Sequence, residues 1–334
     1  MAGITQIKGL SKPAIRGLVE AYVEQVDFTV ADRFMPNAPT YSTDFAYDVI
    51  KTSQNIAPMI AFGSEPPVMD RDAVGKQIGS LTKFGIKYIA TEEELLQLNN
   101  PRTDQEHAAL VARLQKKAID ISDSILKSIQ VFKYQALSTG QLNYDANGVK
   151  VALDYGIAAP TVLNGTNKWG ASAAKPLENL ISWTEDYEKA NGKAPDAILM
   201  SRESYAKLAK DAAIIAHVTT SPGVSRVSNA QLDSVLSDFG IAPITVVKSR
   251  KIANKDIYSG KTKEVEVFPE NRVVLLAEGA AEFLLGPTVE NNFNPGIFVD
   301  SYDKNEPIES ILRGVASGIP TIKQPTALFF ADVA

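Results

Sequence analysis

The sequence predicts an α+β fold, and three patterns carry that prediction. An apolar stripe that recurs every three or four residues runs from about Thr103 to about Leu137, which is typical of one long amphipathic helix. Several other runs alternate apolar and polar residues, as half-buried strands do. Between about residues 145 and 285, helical and strand-like runs follow one another, which indicates a compact α/β unit.

Composition argues against several kinds of site. The chain has 334 residues, of which 45% are hydrophobic and 22% charged, as in ordinary folded proteins. It contains no Cys, which excludes disulfides, thiolate nucleophiles and Cys-ligated metals. The net charge of −5 argues against sequence-independent DNA binding, which depends on clustered basic residues. No window approaches the ~18 consecutive apolar residues of a membrane span, so we expect no membrane segment.

The N-terminal quarter combines one helix with strand-like runs. Ser11–Gln25 is predicted to be a helix capped by Ser11, and the run from Phe28 to Pro39 is strand-like. Residues 45–90 suggest a two-stranded excursion, because alternation at both ends flanks a loop at 63–80 that is rich in Gly and Pro. Such a hairpin is barely stable alone and needs a surface to pack on.

The long helix has clear end signals. Thr103 and Glu106 form a capping-box pattern at its start, and Gly140 marks its end. At about 1.5 Å per residue, some 35 residues extend about 50 Å, roughly three times a typical globular helix. Because its apolar stripe is one-sided and no second helix matches it, we expect it to lie across a sheet rather than in a two-chain coiled coil.

The second half of the chain is predicted to contain further short elements. They are a hairpin around Asn147–Gly148, a helix ending at Gly192, a buried strand at 194–201, a helix capped by Ser201, a helix from Ser228 to Gly240, a buried strand at 242–249, a strand pair joined through Pro269–Asn271, and two terminal β runs at Ile308–Val315 and Thr326–Val333.

Residues with catalytic potential are better explained by structure. Ser201 has no neighbouring base, and the role of helix cap accounts for it. The acidic run Glu92–Glu94 follows Thr91 and suits the first turn of a helix, where the helix dipole favours negative charge. His107 and His217 lie too far apart to form a local motif. We therefore expect no catalytic, cofactor-binding or metal site.

The paired acids of "DRD", Asp70 and Asp72, are not followed by the further carboxylates that a divalent-cation loop needs. The absence of these ligands favours a loop tip that faces solvent or a partner.

Four stretches, taken in order, resemble the major capsid (major head) proteins of tailed bacteriophages, and more narrowly the lambda-type major capsid protein family. The stretches are Ile56–Leu96, Ala197–Leu208, Glu266–Ala277 and Tyr302–Ala334. The similarity in arrangement covers most of the chain, and the first fifty residues match least well.

The resemblance implies a capsid shell fold divided into four parts. They are an N-terminal arm (1–49), an extended β-hairpin loop (50–88), a peripheral domain (89–145 and 288–320) in which a spine helix at 103–137 lies on a β-sheet, and an axial α/β domain (146–287 and 321–334).

The resemblance also implies a structural function. Copies of the chain would form hexamers and pentamers and assemble into an icosahedral head that encloses double-stranded DNA without sequence-specific binding. Portal, scaffold and decoration proteins would be partners, with the virion capsid as location and the host cytoplasm as the place of assembly. Neither a cofactor nor a membrane is involved. The extended loop would lie over the next subunit, which it would meet through Pro66, Pro67, Asp70, Arg71 and Asp72.

Two alternatives remain open. The same fold could form an encapsulin-like bacterial compartment that holds an enzyme. A two-domain α/β enzyme or binding protein, with Ser201 or the Glu92–Glu94 carboxylates in a cleft, is the alternative from a different class.

Overall fold

The computed structural model describes residues 3–25, 30–51, 73–146, 149–219, 223–248, 251–255, 261–306 and 308–334. The helices are α1 (Lys12–Gln25), α2 (Val30–Phe34), α3 (Glu92–Asn99), α4 (Asp104–Thr139), α5 (Pro176–Asn191), α6 (Arg202–Leu208), α7 (Ala212–Val218) and α8 (Asn229–Asp238). None of these helices has the length and apolar character needed to cross a membrane.

The strands form two larger sheets and three two-stranded ribbons. They are β1 (Asn37–Pro39), β2 (Asp44–Lys51), β3 (Ala73–Ser80), β4 (Thr82–Ala90), β5 (Gln141–Ala146), β6 (Val149–Asp154), β7 (Thr161–Val162), β8 (Ala197–Ser201), β9 (Ile244–Val247), β10 (Lys251–Lys255), β11 (Thr262–Glu266), β12 (Arg272–Leu276), β13 (Ala281–Gly286), β14 (Phe298–Asn305), β15 (Ile308–Ile322) and β16 (Leu328–Asp332).

Strand β15 is the centre of the first sheet. β4 pairs with it antiparallel on one side, while β14 and β13 pair with its first and second halves on the other. β1 continues this sheet as a parallel neighbour of β13. The run expected to end at Val315 extends to Ile322. Pro320 is tolerated because only β13 pairs with that part of the strand, so the missing N–H interrupts no bond to β4.

Helix α4 lies across this sheet and packs against β4, β14 and β15. The predicted stripe is confirmed, since its central residues are buried: Leu114, Ala118, Ile121, Ile125 and Ile129. Gly314 of β15 permits the close approach of the helix. A Cβ at this position would lie 2.3 Å from Ile121 Cγ2 and 2.9 Å from Ile125 Cδ1.

Both ends of α4 follow the sequence signals, with one difference at the start. Thr103 Oγ1 accepts a hydrogen bond from the Glu106 N–H at 3.1 Å. The Glu106 carboxylate accepts from the Arg102 N–H at 2.9 Å. Glu106 therefore satisfies the backbone one residue before the position that the capping-box pattern predicts. At the other end, Gly140 adopts φ 67°, the left-handed conformation that terminates helices.

The N-terminal segment is fastened to α4 by a buried ion pair. The strand-like prediction for residues 28–39 was wrong at Val30–Phe34, which forms α2. Asp32 of this helix lies 2.5 Å from Nζ of Lys133, whose side chain has no exposed surface. Burial lowers the pKa of Lys133, and the hydrogen bond and charge of Asp32 oppose this effect. A tertiary contact of this kind overrides the local preference of a short segment.

The second sheet has the order β7-β16-β12-β8-β9 and carries a separate apolar core. Trp169 and Trp183 stack in this core with ring centroids 6.1 Å apart. The predicted strand pair joined through Pro269–Asn271 was wrong, because β11 pairs with β10 whereas β12 pairs with β8 and β16. Helix α7 was not predicted. Arg272 of β12 pairs with Asp332 of the neighbouring strand β16 (2.7 Å) and donates to the Ser138 carbonyl of α4 (2.8 Å), which connects the second sheet to the helix.

The excursion predicted for residues 45–90 has a different pairing. β2 pairs with β3 rather than with the run after Leu81, and β4 belongs to the first sheet along its whole length. Residues 73–80, expected to be loop, therefore form a strand. The hairpin predicted around Asn147–Gly148 is confirmed in its two strands, β5 and β6, while the turn itself lies outside the described residues.

Replacing Gly314 with Ala is expected to force α4 away from the sheet. The added methyl group would overlap Ile121 and Ile125, so we expect a loss of about 1–3 kcal/mol in the free energy of unfolding. Chemical denaturation measures this loss. Gly17→Ala is the matched control, because nothing lies within 4 Å of its Cβ position in α1. This control should be neutral or stabilising. Equal effects of the two substitutions would contradict the close-packing argument.

Asp32→Ala is expected to leave the buried Lys133 ammonium without its carboxylate. The expected loss in the free energy of unfolding is about 3–5 kcal/mol. The double variant Asp32→Ala/Lys133→Met should recover most of that loss, because no charge remains buried. If both variants unfold at the same denaturant concentration, the ion pair does not have the role assigned to it.

Candidate functional site

The predicted partner-contacting residues, Pro66, Pro67, Asp70, Arg71 and Asp72, lie outside the described residues, so their role stays a prediction. The structure does describe the two strands that flank these residues in sequence, β2 and β3, which form a ribbon. β2 and β3 pair antiparallel from Asp44↔Ser80 to Lys51↔Ala73. A single residue, Leu81, separates β3 from β4, and its N–H donates to the Thr43 carbonyl at 2.8 Å. The ribbon is thereby connected directly to the first sheet.

Ser201 has the structural role that its sequence context predicts. Its side chain is fully buried, and Oγ accepts a hydrogen bond from the Ser204 N–H at 3.1 Å. The same hydroxyl donates to the Glu270 carbonyl. Ser201 therefore caps α6 and fixes the turn before β12, and it has no access to a substrate.

The acidic run at Glu92–Glu94 is also structural. Thr91 and Glu94 form a full capping box at the start of α3. The Glu94 carboxylate in addition accepts a hydrogen bond from the Tyr88 hydroxyl at 2.8 Å and lies 3.2 Å from Arg113. Burial raises the pKa of Tyr88, and the hydrogen bond to Glu94 raises it further. The carboxylate connects α3, α4 and β4.

The histidines lie apart from any such cluster. His217 packs against Phe239 with ring centroids 5.4 Å apart and lies 4.0 Å from Asp238. Among the residues that the structure describes, no three metal-ligating side chains come close enough to hold an ion.

A charged network connects β4 with the loop between β13 and β14. Lys83 Nζ lies 2.7 and 2.8 Å from the two carboxylate oxygens of Glu290. Glu290 is also 3.8 Å from Arg313, which donates two hydrogen bonds to Asp300 at 3.1 and 2.8 Å. Lys12 of α1 approaches Asp300 at 3.8 Å. The network therefore reaches from the N-terminal helix, across β14 and β15, to the strand that continues the β2–β3 ribbon.

The network shifts two ionisation equilibria. The hydrogen bond from Lys83 is the main cause of the lowered pKa of Glu290, against which burial acts. The hydrogen bond with Asp300 is the main cause of the raised pKa of Arg313. Both shifts favour the charged forms, so each partner holds the other in place at neutral pH.

The segment from Thr288 to Asn294, here called the 288–294 loop, has a tightly bonded backbone. The Phe293 N–H donates to the Thr288 carbonyl at 2.9 Å, and Asn291 and Asn294 each donate a side-chain amide hydrogen bond to the other's carbonyl. The base is closed by a bridge between Pro287 and Pro295. A short loop bonded in this way is held in one conformation.

Two residues of the 288–294 loop are strained. Asn292 (φ 53°) and Phe293 (φ 62°) are the non-glycine residues with positive φ in the described part of the chain. Asn tolerates this region, but for Phe it costs about 1–2 kcal/mol. The Phe293 side chain is nevertheless 67% exposed and Val289 is 68% exposed. The strain at Phe293 is therefore not offset by burial of its ring within its own chain.

The sequence offered little sign of this loop. The run "VENNFNPG" contains Asn, Pro and Gly, which indicate a turn. The outward direction of an aromatic side chain follows from backbone conformation and tertiary contacts, which periodicity does not reveal.

A family model described as phage major capsid protein E matches residues 20–330 of the chain. No protein with a curated description matches the chain in sequence.

Several solved structures resemble this one over nearly the whole chain. A phage-related protein from Bordetella bronchiseptica RB50 has a TM-score of 0.56 at 12% identity, covering 100% of this chain and 99% of its own. A putative capsid protein of a prophage from E. coli CFT073 has a TM-score of 0.58 at 13% identity, with 96% and 99% covered. A virus-like particle from Pyrococcus furiosus gives 0.50 at 12%, also with 96% and 99%. At these identities the similarity shows the fold, which confirms the predicted α+β capsid shell architecture.

Glu290→Gln is expected to lower stability at neutral pH but not in acid. Because the folded-state pKa of Glu290 is depressed, its contribution is complete above the unfolded-state value of about 4.3 and is lost as pH falls through the folded-state value. Lys83 is half exposed, so we expect a difference of only about 0.5–1 kcal/mol at pH 7. Urea denaturation across pH measures whether the difference between variant and wild type closes in acid. A difference that persists there would show that the carboxylate acts through packing instead.

Proposed function

Because the chain belongs to the family of phage major capsid protein E, we propose that its copies assemble as hexamers and pentamers into an icosahedral phage head that encloses double-stranded DNA. The match to residues 20–330, nearly the whole chain, is the observation that carries this proposal. The chain is a structural major capsid protein, a component of the virion capsid whose copies associate into a shell. The predicted membership of the lambda-type family is confirmed.

The packing of the first sheet suits a shell subunit. α4, with 36 residues, lies across β4, β14 and β15 and stiffens them along its length. A thin wall built of many copies needs subunits that keep their shape under load. A helix bonded internally and packed along a sheet supplies this rigidity without a thick core.

The two sheets support the predicted division of the chain into parts. The peripheral domain would comprise α4 and the first sheet, and the axial domain the second sheet with α5, α6 and α8. Because β13 belongs to the first sheet, we propose a boundary near residue 280 instead of the predicted 287, and we likewise propose new limits for the extended loop predicted at 50–88. The extended loop would start at Asp44 and end at Ser80, the limits of the β2–β3 ribbon.

The extended loop is proposed to lie over a neighbouring subunit. Its described base is a two-stranded ribbon that projects from the first sheet through Leu81. A two-stranded ribbon of this kind gains stability by packing on another surface. Pro66, Pro67, Asp70, Arg71 and Asp72 remain the proposed contact residues, with Arg71 contributing register more than affinity.

The net charge of −5 is compatible with enclosing DNA, because a wall that bound phosphates tightly would impede packing and release. Portal, scaffold and decoration proteins are proposed as further partners, and assembly is proposed to take place in the host cytoplasm. We also propose that the chain has no catalytic activity, since Ser201 and Glu94 are both occupied by structural hydrogen bonds.

The encapsulin-like alternative shares the fold but is not favoured by the family match, which is to a phage protein. The enzyme alternative requires an accessible Ser201 or Glu92–Glu94 cleft. The burial of Ser201 and the position of Glu94 in a capping box argue against it.

Negative-stain electron microscopy of the purified chain, beside size-exclusion light scattering, tests the proposed assembly. We expect closed shells, tubes, or rings of six and five copies, at concentrations and salt conditions to be scanned. Deleting residues 63–75 should weaken assembly, because it removes the proposed contact with the next subunit. A chain that stays monomeric or dimeric in every condition would contradict self-assembly without a scaffold protein, and an unaffected deletion variant would contradict the role of the loop.

A further inference from the structure

We propose that the 288–294 loop is a contact between copies of this chain, in which loops of neighbouring copies meet and Phe293 is the principal apolar residue. This inference rests on the proposed function, because it supplies a contact for the association of copies. It concerns a part of the surface separate from the tip of the extended loop.

The first argument is the fixed shape of the loop. Its backbone is bonded between Phe293 and Thr288, between Asn292 and Val289, and between Asn294 and Asn291. The Ser317 hydroxyl donates to the Pro287 carbonyl at 3.0 Å, which holds the base of the loop against β15. Because the loop is already ordered, little conformational entropy is lost when it binds.

The second argument is that the backbone strain at Phe293 is not offset by any burial of its side chain within the chain. Phe293 adopts a left-handed backbone conformation while two-thirds of its side-chain surface remains exposed. Glycine would remove this strain, and a polar residue would remove the exposed ring. Strained residues of this kind persist where the surrounding structure enforces them, and they cluster at functional sites.

The third argument identifies the partner. Glu290 is the one charged residue between Thr288 and Asn294, and its charge is neutralised by ion pairs with Lys83 of β4 and Arg313 of β15. The rest of the tip consists of Val289, Phe293 and uncharged amides. Identical copies that each carry a net charge of −5 have a net repulsion between them. A neutral apolar tip can meet its own copy around a rotation axis without such repulsion. A nucleic acid would instead require basic residues here.

The charged network links the proposed loop contact to the base of the extended loop. Lys83 belongs to β4, the strand that continues the β2–β3 ribbon, and Glu290 belongs to the loop. The ion pair therefore fixes the position of the 288–294 loop relative to the base of the extended loop. A subunit contact made by one of these segments constrains the other.

The absence of Cys makes a direct test possible, because a single introduced thiol is the only one in the chain. Asn292→Cys places it on the exposed loop, and Ser172→Cys places it on an exposed residue of another loop. On oxidation of assembled protein with copper phenanthroline, we expect covalent dimers from Asn292→Cys at a yield at least about tenfold above Ser172→Cys. Comparable yields, or no dimer from Asn292→Cys in intact shells, would overturn the inference.

Phe293→Gly separates a contact role from a structural one. Glycine relieves the strain, so we expect the melting temperature of the unassembled chain to stay level or rise by about 1–3 °C. The concentration needed for assembly should rise by about tenfold or more, as for loss of an apolar hot spot. Phe293→Tyr should assemble like the wild type, and so should Val162→Ser, which removes an exposed apolar residue from β7.

The outcomes distinguish the two proposals. If shells form normally from Phe293→Gly, the loop contact is excluded while the capsid function stands. If Phe293→Gly unfolds at a clearly lower temperature, the ring is structural and the inference fails. If the wild type forms neither shells nor smaller oligomers, the proposed assembly fails and the loop contact fails with it.

Discussion

The approach of α4 to β15 at Gly314 is the contact on which the rest of the structure depends. The absence of a side chain at this position lets Ile121 and Ile125 reach the strand backbone. β15 in turn orders its neighbours, since β4, β13 and β14 are all paired with it. The remaining segments add to this unit. α2 is held to the helix through the Asp32–Lys133 pair, and the second sheet is joined to the helix end through Arg272 and the Ser138 carbonyl.

The two candidate contacts for assembly lie at the margins of the helix and the first sheet. The β2–β3 ribbon continues from β4, and the 288–294 loop joins β13 to β14. Both therefore originate from strands that pair with β15. The Lys83–Glu290 ion pair connects them a second time through side chains. The part of the chain that carries the fold thus also fixes the relative position of the two candidate contacts, although they are about 200 residues apart in sequence.

Local signals in the sequence were sufficient for elements that local physics determines. The α4 stripe, the Gly140 and Gly192 helix ends and the Ser201 cap depend on residues within a few positions of one another, and the structure bears them out. The missed helix α7 and the one-residue shift of the capping bond at Glu106 are local errors, whereas the larger errors involve distant partners. α2 forms where its Asp32 pairs with Lys133, about 100 residues away. β12 pairs with β8 and β16 and not with β11, which precedes it in sequence. β4 pairs with β15 and not with β2. The candidate site was the part of the structure that the sequence predicted least well, because the exposure of Phe293 results from backbone angles that no periodicity encodes.

The pairing of β15 on both edges has a mechanical consequence for a subunit of a thin shell. Hydrogen bonds in antiparallel pairs run perpendicular to the strands. Tension along β15 therefore shears the bonds to β4 and β14 together instead of opening them one at a time. Between Ser310 and Val315 both neighbours are present at every residue, so a pull on that segment is shared between two sets of bonds. β15 can therefore carry tension along its length. In a two-stranded ribbon pulled apart from its open end, by contrast, the hydrogen bonds would break one after another.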